Sequence, residues 1–338
     1  MKILFVGIFN KPWSSNIPLV EELRKKDHYV KTFDYRSIPL KFRKFDFSFY
    51  IKLMTFLIYK SNIMYFLPKE IKEFKFYVLG NKGMNNLLLS EVIKTNYDLV
   101  ILAKAGTINY KLIPIINKFS KTFYYFMDPL EIAHSLRAYK YASLCTWSSA
   151  STTAMNNLFK KKGADSHYIL EGFDENIFNP KKENNHKELD VIFVGSKNSI
   201  REKYINYLRN NKINVECYGN GWENKPIYLK KLVNKYRKSK IILNFPRQDS
   251  GFSDRVFQAI GTKTFLLSKY CSDLERVFKR GIHLDWFRTP EECLDMIKFY
   301  LEHEDIREQI SNEGYNYVLE NFTWTRTIEK LIQIVSRN

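Results

Sequence analysis

Two clusters in the second half of the chain carry side chains suited to holding phosphate. In the first, Gly195-Ser196-Lys197 closes an apolar run, and Ser199 is placed to cap a helix that carries Arg201 and Lys203. Backbone N–H groups at a helix start, joined by nearby cations, form a cradle for a diphosphate. A plain strand-to-helix turn with solvated charges would read the same way. In the second cluster, Arg255 and Gln258 stand three residues apart, so they share one face of a helix. Arg255 offers a planar fork to phosphate oxygens, and Gln258 offers an amide to ribose hydroxyls. Gly261 then permits the turn into the next buried strand. An amphipathic helix turning its polar face to solvent is the alternative, and the upstream cradle favours the ligand reading.

Other positions are candidates of the same kind. Arg247 follows an apolar strand on the donor side, and Tyr218-Gly219 ends another strand and can flank a nucleotide base or form an ordinary turn. Asn10 and Ser14, after the first strand, can face an acceptor or a sugar. Glu171, in Glu171-Gly172-Phe173-Asp174, can face a cleft or cap backbone. The six histidines show no pair at metal-ligand spacing, so no metal site is expected. Gly7 is followed by Ile-Phe-Asn, so the dinucleotide fingerprint is missing, as are P-loop, HExxH and GxSxG motifs. A nicotinamide oxidoreductase or a P-loop NTPase thereby loses its main sequence support.

These residues need elements to position them. In the first half, strands are predicted over Lys2–Gly7, Tyr29–Tyr35, Leu99–Lys104, Thr122–Met127 and Ser143–Trp147. Helical patterns lie around Ile17–Lys26, Asn85–Lys94, Lys111–Phe119 and Thr152–Lys162. Continuous apolar strands separated by helices predict a parallel sheet covered on both faces. Residues 181–188 are wholly polar and mark the sharpest boundary. Beyond them, strands fit Leu189–Gly195, Asn214–Tyr218, Ile241–Phe245 and Thr264–Leu267. Helices fit Ser199–Asn210, Ile227–Lys238, Asp254–Ile260, Glu291–His303, Ile306–Glu320 and Thr323–Val335. Two successive βα domains predict a cleft with ligands at the carboxyl ends of the strands.

Composition agrees with a folded chain. Hydrophobic residues make up 45% and charged residues 27% of 338 positions, which suits two domains rather than disorder. Four widely spaced cysteines without a CxxC pair suggest a reducing compartment with free, mostly buried thiols. The opening apolar run is too short for a signal peptide, and Ile51–Pro68 is interrupted by Lys52, Lys60 and Asn62. A cytoplasmic protein is expected, with peripheral attachment to a membrane surface as an option. The net charge of +18, with the basic aromatic patch Lys41–Phe45, favours polyanionic surroundings: phosphorylated substrates, anionic lipid or nucleic acid. Richness in Lys, Asn, Ile, Phe and Tyr, as AT-rich genomes produce, explains the charge equally well.

From Leu189 to Val335 the chain resembles the group 1 glycosyltransferases, in particular the branch similar to spore-maturation protein B. The matching stretches are RVFQAIGTKTFLL, CSDLERVFKRGIHL and TPEECLDMIKFYLEHEDIREQISNEGYNYVLENFTW, which ends in the family's hTw-like signature. Residues 141–180 resemble the family's hinge region. The resemblance implies an α/β GT-B fold, with two Rossmann-like domains facing across a cleft. It implies an acceptor domain over 1–178, a nucleotide-sugar domain over 189–322, and a last helix over 323–338 packing back towards the first domain. Gly195, Ser196, Arg201 and Arg255 would then meet the diphosphate. Gln258 stands where the family usually has a ribose-binding glutamate, and Ser250 and Gln258 replace the two glutamates of retaining members.

An inverting transfer needs a base for the acceptor hydroxyl, and a carboxylate at a strand end suits that task. Asp128 closes the strand Thr122–Met127 and is followed by Pro129; Asp before Pro also suits a helix-initiating cap. The stretch SKTFYYFMDP is similar to one in phage DNA β-glucosyltransferases, where the aspartate is the base. Glu131 and His134 are the reserves. The expected function is transfer of a sugar from a nucleotide diphosphate sugar, a UDP-sugar first, to a hydroxyl on a glycan, lipid or protein, with no cofactor required. The alternatives are glycosylation of hydroxylated DNA bases, and a non-catalytic nucleotide-sugar-binding module.

Overall fold

A computed structural model describes residues 1–35, 81–128, 130–180, 187–246 and 251–337. The patch Lys41–Phe45, the stretch Ile51–Pro68, residues 181–186, Arg247 and Ser250 lie outside the described residues. The chain divides into two compact units. Unit 1 comprises residues 1–126, 131–149 and 158–167; unit 2 comprises residues 127–130, 150–157 and 168–338.

The first sheet has six strands: β1 (Lys2–Gly7), β2 (Tyr29–Asp34), β3 (Leu99–Ala103), β4 (Lys121–Phe126), β5 (Trp147–Ala150) and β6 (Ser166–Tyr168), in the order β2-β1-β3-β4-β5-β6. β1 pairs in parallel with β2 and β3, and β3 with β4. Ile3–Val6, Leu99–Leu102 and Phe123–Phe126 are buried without a break. That is the pattern of strands covered on both faces. The helices of this part are α1 (Asn16–Lys25), α2 (Asn81–Thr95), α3 (Ile113–Ile116), α4 (Leu130–Leu136), α5 (Ala138–Leu144) and α6 (Thr153–Lys161).

The strand expected over Ser143–Trp147 is a correction: Ser143 and Leu144 end α5, and β5 runs over Trp147–Ala150. Ser148 and Ser149 are fully buried in it. Small hydroxyl residues carry little hydropathy, so a buried strand made of them escapes an apolar-run reading. Likewise α5 and β6 are additions to the sequence reading, whereas α4 follows Asp128-Pro129, where a helix-initiating cap was one of the readings.

The second sheet has five strands: β7 (Leu189–Val194), β8 (Val215–Tyr218), β9 (Ser239–Asn244), β10 (Phe265–Lys269) and β11 (Asp285–Phe287), in the order β11-β10-β9-β7-β8. All the pairings are parallel. Alternate residues point to opposite faces. Val191, Phe193, Ile241, Leu243, Phe265 and Leu267 enter one core, while Ile192, Ile242 and Leu266 enter the other. The helices are α7 (Ser199–Asn210), α8 (Leu229–Arg237), α9 (Arg255–Gly261), α10 (Ser272–Val277), α11 (Pro290–Glu302), α12 (Glu304–Asn321) and α13 (Trp324–Val335). β11 and α10 are additions to the sequence reading.

α13 is fastened to residues 170–173. Phe173 N–H donates to Phe322 O at 3.0 Å, Trp324 N–H to Phe173 O at 3.2 Å, and Thr327 Oγ1 to Leu170 O at 3.3 Å. Cys145, Cys217, Cys271 and Cys293 are free and buried, as expected. Burial pushes the thiols of Cys145, Cys217 and Cys271 up to about 12. Among the described residues no helix is long and apolar enough to cross a membrane.

Candidate functional site

In unit 2 the turns after β7 and β8 continue the strand pairing beyond the strand ends. Gly195 N–H donates to Tyr218 O, and Lys197 N–H to Asn220 O, both at 2.8 Å. Gly219 has φ +147°, and a Cβ there would lie 2.2 Å from Gly195 O. Only glycine lets the two turns approach so closely. A Cβ on Gly195 would lie 2.8 Å from Arg255 Nη1 and 2.9 Å from the Phe193 ring. Bare backbone and a guanidinium therefore meet at the carboxyl end of the central strands.

Arg255 begins α9 and is partly exposed. Its Nη1 donates to Val194 O at 3.0 Å and its Nε to Ser253 Oγ at 3.3 Å. Those bonds steer the guanidinium to Gly195. Arg201 sits differently. It is 3% exposed, donates from Nη1 to Ser196 O at 2.7 Å and from Nη2 to Phe245 O at 2.8 Å, and packs on the Phe193 ring at 5.4 Å. It ties the turn after β7 to the end of β9. Ser196 itself is exposed. The cap of α7 is Asn198, not Ser199: its side chain accepts from Arg201 N–H at 2.9 Å.

Gln258 lies one turn beyond Asp254, and its Nε2 donates to Asp254 Oδ2 at 2.6 Å. Asp254 N–H donates in turn to Glu171 Oε2 at 3.2 Å. Glu171 is buried, and its carboxyl is held well above the ordinary range by that burial, then by the charge of Asp254 and, more weakly, of Asp128. Asp254 is also raised by desolvation, but Arg255 opposes the shift.

Asp128, partly buried, follows Met127, whose carbonyl accepts from Ser151 Oγ at 3.3 Å. Its charge reaches Glu171, so Asp128, Glu171, Asp254 and Arg255 form one electrostatic group. Glu131 lies on α4 with its side chain outside the described residues, and His134 is exposed on the same helix. In unit 1, Ser14 Oγ donates to Ile8 O at 2.6 Å and Asn10 is exposed. Tyr218 donates to Glu216 Oε2 at 2.8 Å, with Lys235 Nζ 5.3 Å above its ring. It lines an open groove of about 830 Å³ along edge strand β8.

Sequence reasoning missed the Glu171–Asp254–Gln258 chain of contacts. Only its Asp254–Gln258 half carries a signal, the i, i+4 spacing. It also missed Asp273, fully buried, which accepts from Thr153 N–H at 2.9 Å and from Thr153 Oγ1.

Residues 201–333, less than half of the chain, match the family model described as Glycosyl transferase-like. Solved structures agree over the full length. HepE from Anabaena, in complex with UDP and glucose, superposes with a TM-score of 0.67 at 14% identity, covering 100% of both chains. TarM gives 0.67 at 10% identity over 99% of both chains. Sucrose-phosphate synthase from Thermosynechococcus elongatus gives 0.66 at 10% over 98% of both. At such identities the likeness is one of fold, and that fold is GT-B. No curated protein sequence matches the chain.

Proposed function

We propose that this protein is an inverting glycosyltransferase that moves a sugar from a UDP-sugar to a hydroxyl acceptor. The observation that carries the reading is the meeting of Arg255, which lies inside the segment matching the glycosyl transferase-like model, with the bare Gly195 backbone at the carboxyl end of β7, just ahead of that segment. The UDP and glucose bound to HepE, which shares the fold, support the choice of donor.

In this reading the diphosphate lies on the Gly195–Ser196 turn, with Arg255 donating to its oxygens. Arg201 braces that turn through Ser196 O rather than reaching out of it. The acceptor oxygen attacks the anomeric carbon and gives its proton to Asp128. The bond from that carbon to the β-phosphate oxygen breaks, and UDP leaves with the electron pair. Charge grows on the phosphate as the bond lengthens, so a guanidinium already aimed there stabilises the transition state more than the ground state.

The test is a thermal-shift panel of nucleotide diphosphate sugars and NAD(P) on the purified chain. A ligand present at one hundred times its dissociation constant stabilises by about 2.7 kcal/mol, a readily seen shift. One UDP-sugar standing out, followed by anomeric analysis of the product by NMR, supports the reading. A shift with NAD(P) alone overturns it.

A further inference from the structure

We propose that one face of unit 1, built from residues 110–121, the outward side of α5 and Lys160–Lys162, docks onto an anionic lipid bilayer, with Ile115 and Phe119 entering beneath the headgroups. The surface lies wholly within unit 1 and goes beyond the donor site proposed above, which lies in unit 2.

The anomaly is one of facing. A 3-10 turn over Tyr110–Leu112 leads into α3, and the coil continues as Lys118 N–H donates to Ile115 O and Phe119 N–H to Ile116 O. Along it Ile113, Ile116 and Ser120 are buried at helical spacing. The outward stripe should then be polar. Instead it holds Ile115 and Phe119, 39% and 41% exposed and four residues apart. A single exposed apolar side chain is ordinary, but two that neighbour one another on a stripe form a patch. Exposed lysines surround them: Lys111 one turn before, Lys118 between, and Lys121 just after.

The basic surface extends over α5. Asn117 Nδ2 donates to Leu144 O at 2.8 Å, and Lys140 Nζ to Tyr110 OH at 3.2 Å, so both ends of the segment are tied to that helix. Beside Lys140, the Tyr139 ring lies 5.7 Å from Lys162 Nζ, which brings in the exposed run Lys160–Lys162. Residues 99–126, 132–149 and 158–164 contain no Asp or Glu. The salt bridges described in unit 1 join Lys25 to Glu22, Lys31 to Glu91 and His167 to Asp165, and none of them neutralises these lysines. Such cations suit any polyanion, and the apolar pair selects among them. A nucleic-acid backbone engages the lysines alone. A bilayer takes apolar tips below its headgroups and lysine heads at the level of the phosphates.

The experiment is co-sedimentation of the purified full chain with vesicles of phosphatidylcholine alone, or mixed equally with phosphatidylglycerol, over a range of salt. Binding to the mixed vesicles only, weakening as salt rises, is expected. Each lysine contributes about fivefold at an anionic surface, so the triple variant Lys111→Gln, Lys118→Gln, Lys121→Gln should lose about 100-fold. Ile115→Ser with Phe119→Ser should lose about tenfold. Both variants should keep the melting temperature and the UDP affinity of the unaltered chain. Phe119→Trp should add an emission that brominated-chain lipid quenches in the mixed vesicles. Should the serine variant fail to fold, that quenching decides alone, and its absence overturns the proposal. Equal binding to both vesicles, or a loss in the lysine variant without one in the serine variant, also overturns it. So does tighter binding to duplex DNA than to mixed vesicles at equal phosphate. The donor site fails separately, if the unaltered chain binds no UDP.

Discussion

Arg255→Ala separates ligand binding from architecture. A guanidinium has five N–H donors, and two of its nitrogens are engaged with Val194 O and Ser253 Oγ. Its Nη1 is also the atom that a Cβ on Gly195 would meet, at 2.8 Å, so the guanidinium stands beside the uncovered backbone. A charge-assisted hydrogen bond to phosphate contributes about 1.5–3 kcal/mol, so the variant is expected to bind UDP roughly 10- to 150-fold more weakly. The structural cost is smaller. Losing the bond to Val194 O costs about 1 kcal/mol, a fall of about 2–4 °C in melting temperature. Calorimetry with UDP and with uridine makes the distinction, because uridine carries no phosphate and its affinity should not change. Arg255→Lys keeps the charge but not the fork and should fall between. If UDP loses less than about threefold, or uridine loses as much as UDP, the reasoning from the Gly195 turn is refuted.

Three other changes follow from the same geometry. Arg201→Met leaves the buried carbonyl of Phe245 and the partly buried one of Ser196 without their donor, and should lower stability in urea by about 1–3 kcal/mol; a loss near zero would mean the tie braces nothing. Asp128→Asn should reduce the transfer rate by about 10²–10⁴ with donor affinity unchanged, and full activity in this variant would remove the base assignment. Glu171 keeps its proton to a higher pH when folded than its ordinary value of 4.5 allows when unfolded. The folded state therefore binds more protons in that window, and stability falls as pH rises through it. Glu171→Gln cannot titrate and can still accept from Asp254 N–H. Its melting temperature relative to the unaltered chain should rise from pH 5 to pH 8, and a difference independent of pH would show that Glu171 titrates normally.

Long apolar runs made the sheets legible: KILFVG and LVILA in the first, LDVIFV in the second, each continuous because both faces are covered. Ser199–Asn210 was read with the bounds the structure gives. β5 was misplaced because its buried side chains are serines, which look like surface in a hydropathy profile. At the site, the residue types pointed to phosphate, but type cannot tell an arginine aimed outward from one turned in. Arg201 and Arg255 read alike in the sequence. Only the carbonyls of Ser196 and Phe245 distinguish the first as internal. The pairing of Glu171 with Asp254 joins residues 83 positions apart, and no local pattern announces it.

The fastening of residues 170–173 by Phe322, Trp324 and Thr327 has a consequence for biosynthesis. A Cβ on Gly172 would lie 2.7 Å from Trp324 N, so the two segments are moulded to one another. Glu171 stands in the middle of that stretch and holds the backbone of Asp254. During synthesis β7 to β11 can pair before the 170–173 stretch meets its fastening, because Thr327 follows Leu170 by 157 positions. The sheet of unit 2 is thus independent of that fastening, whereas the backbone around Glu171 is not.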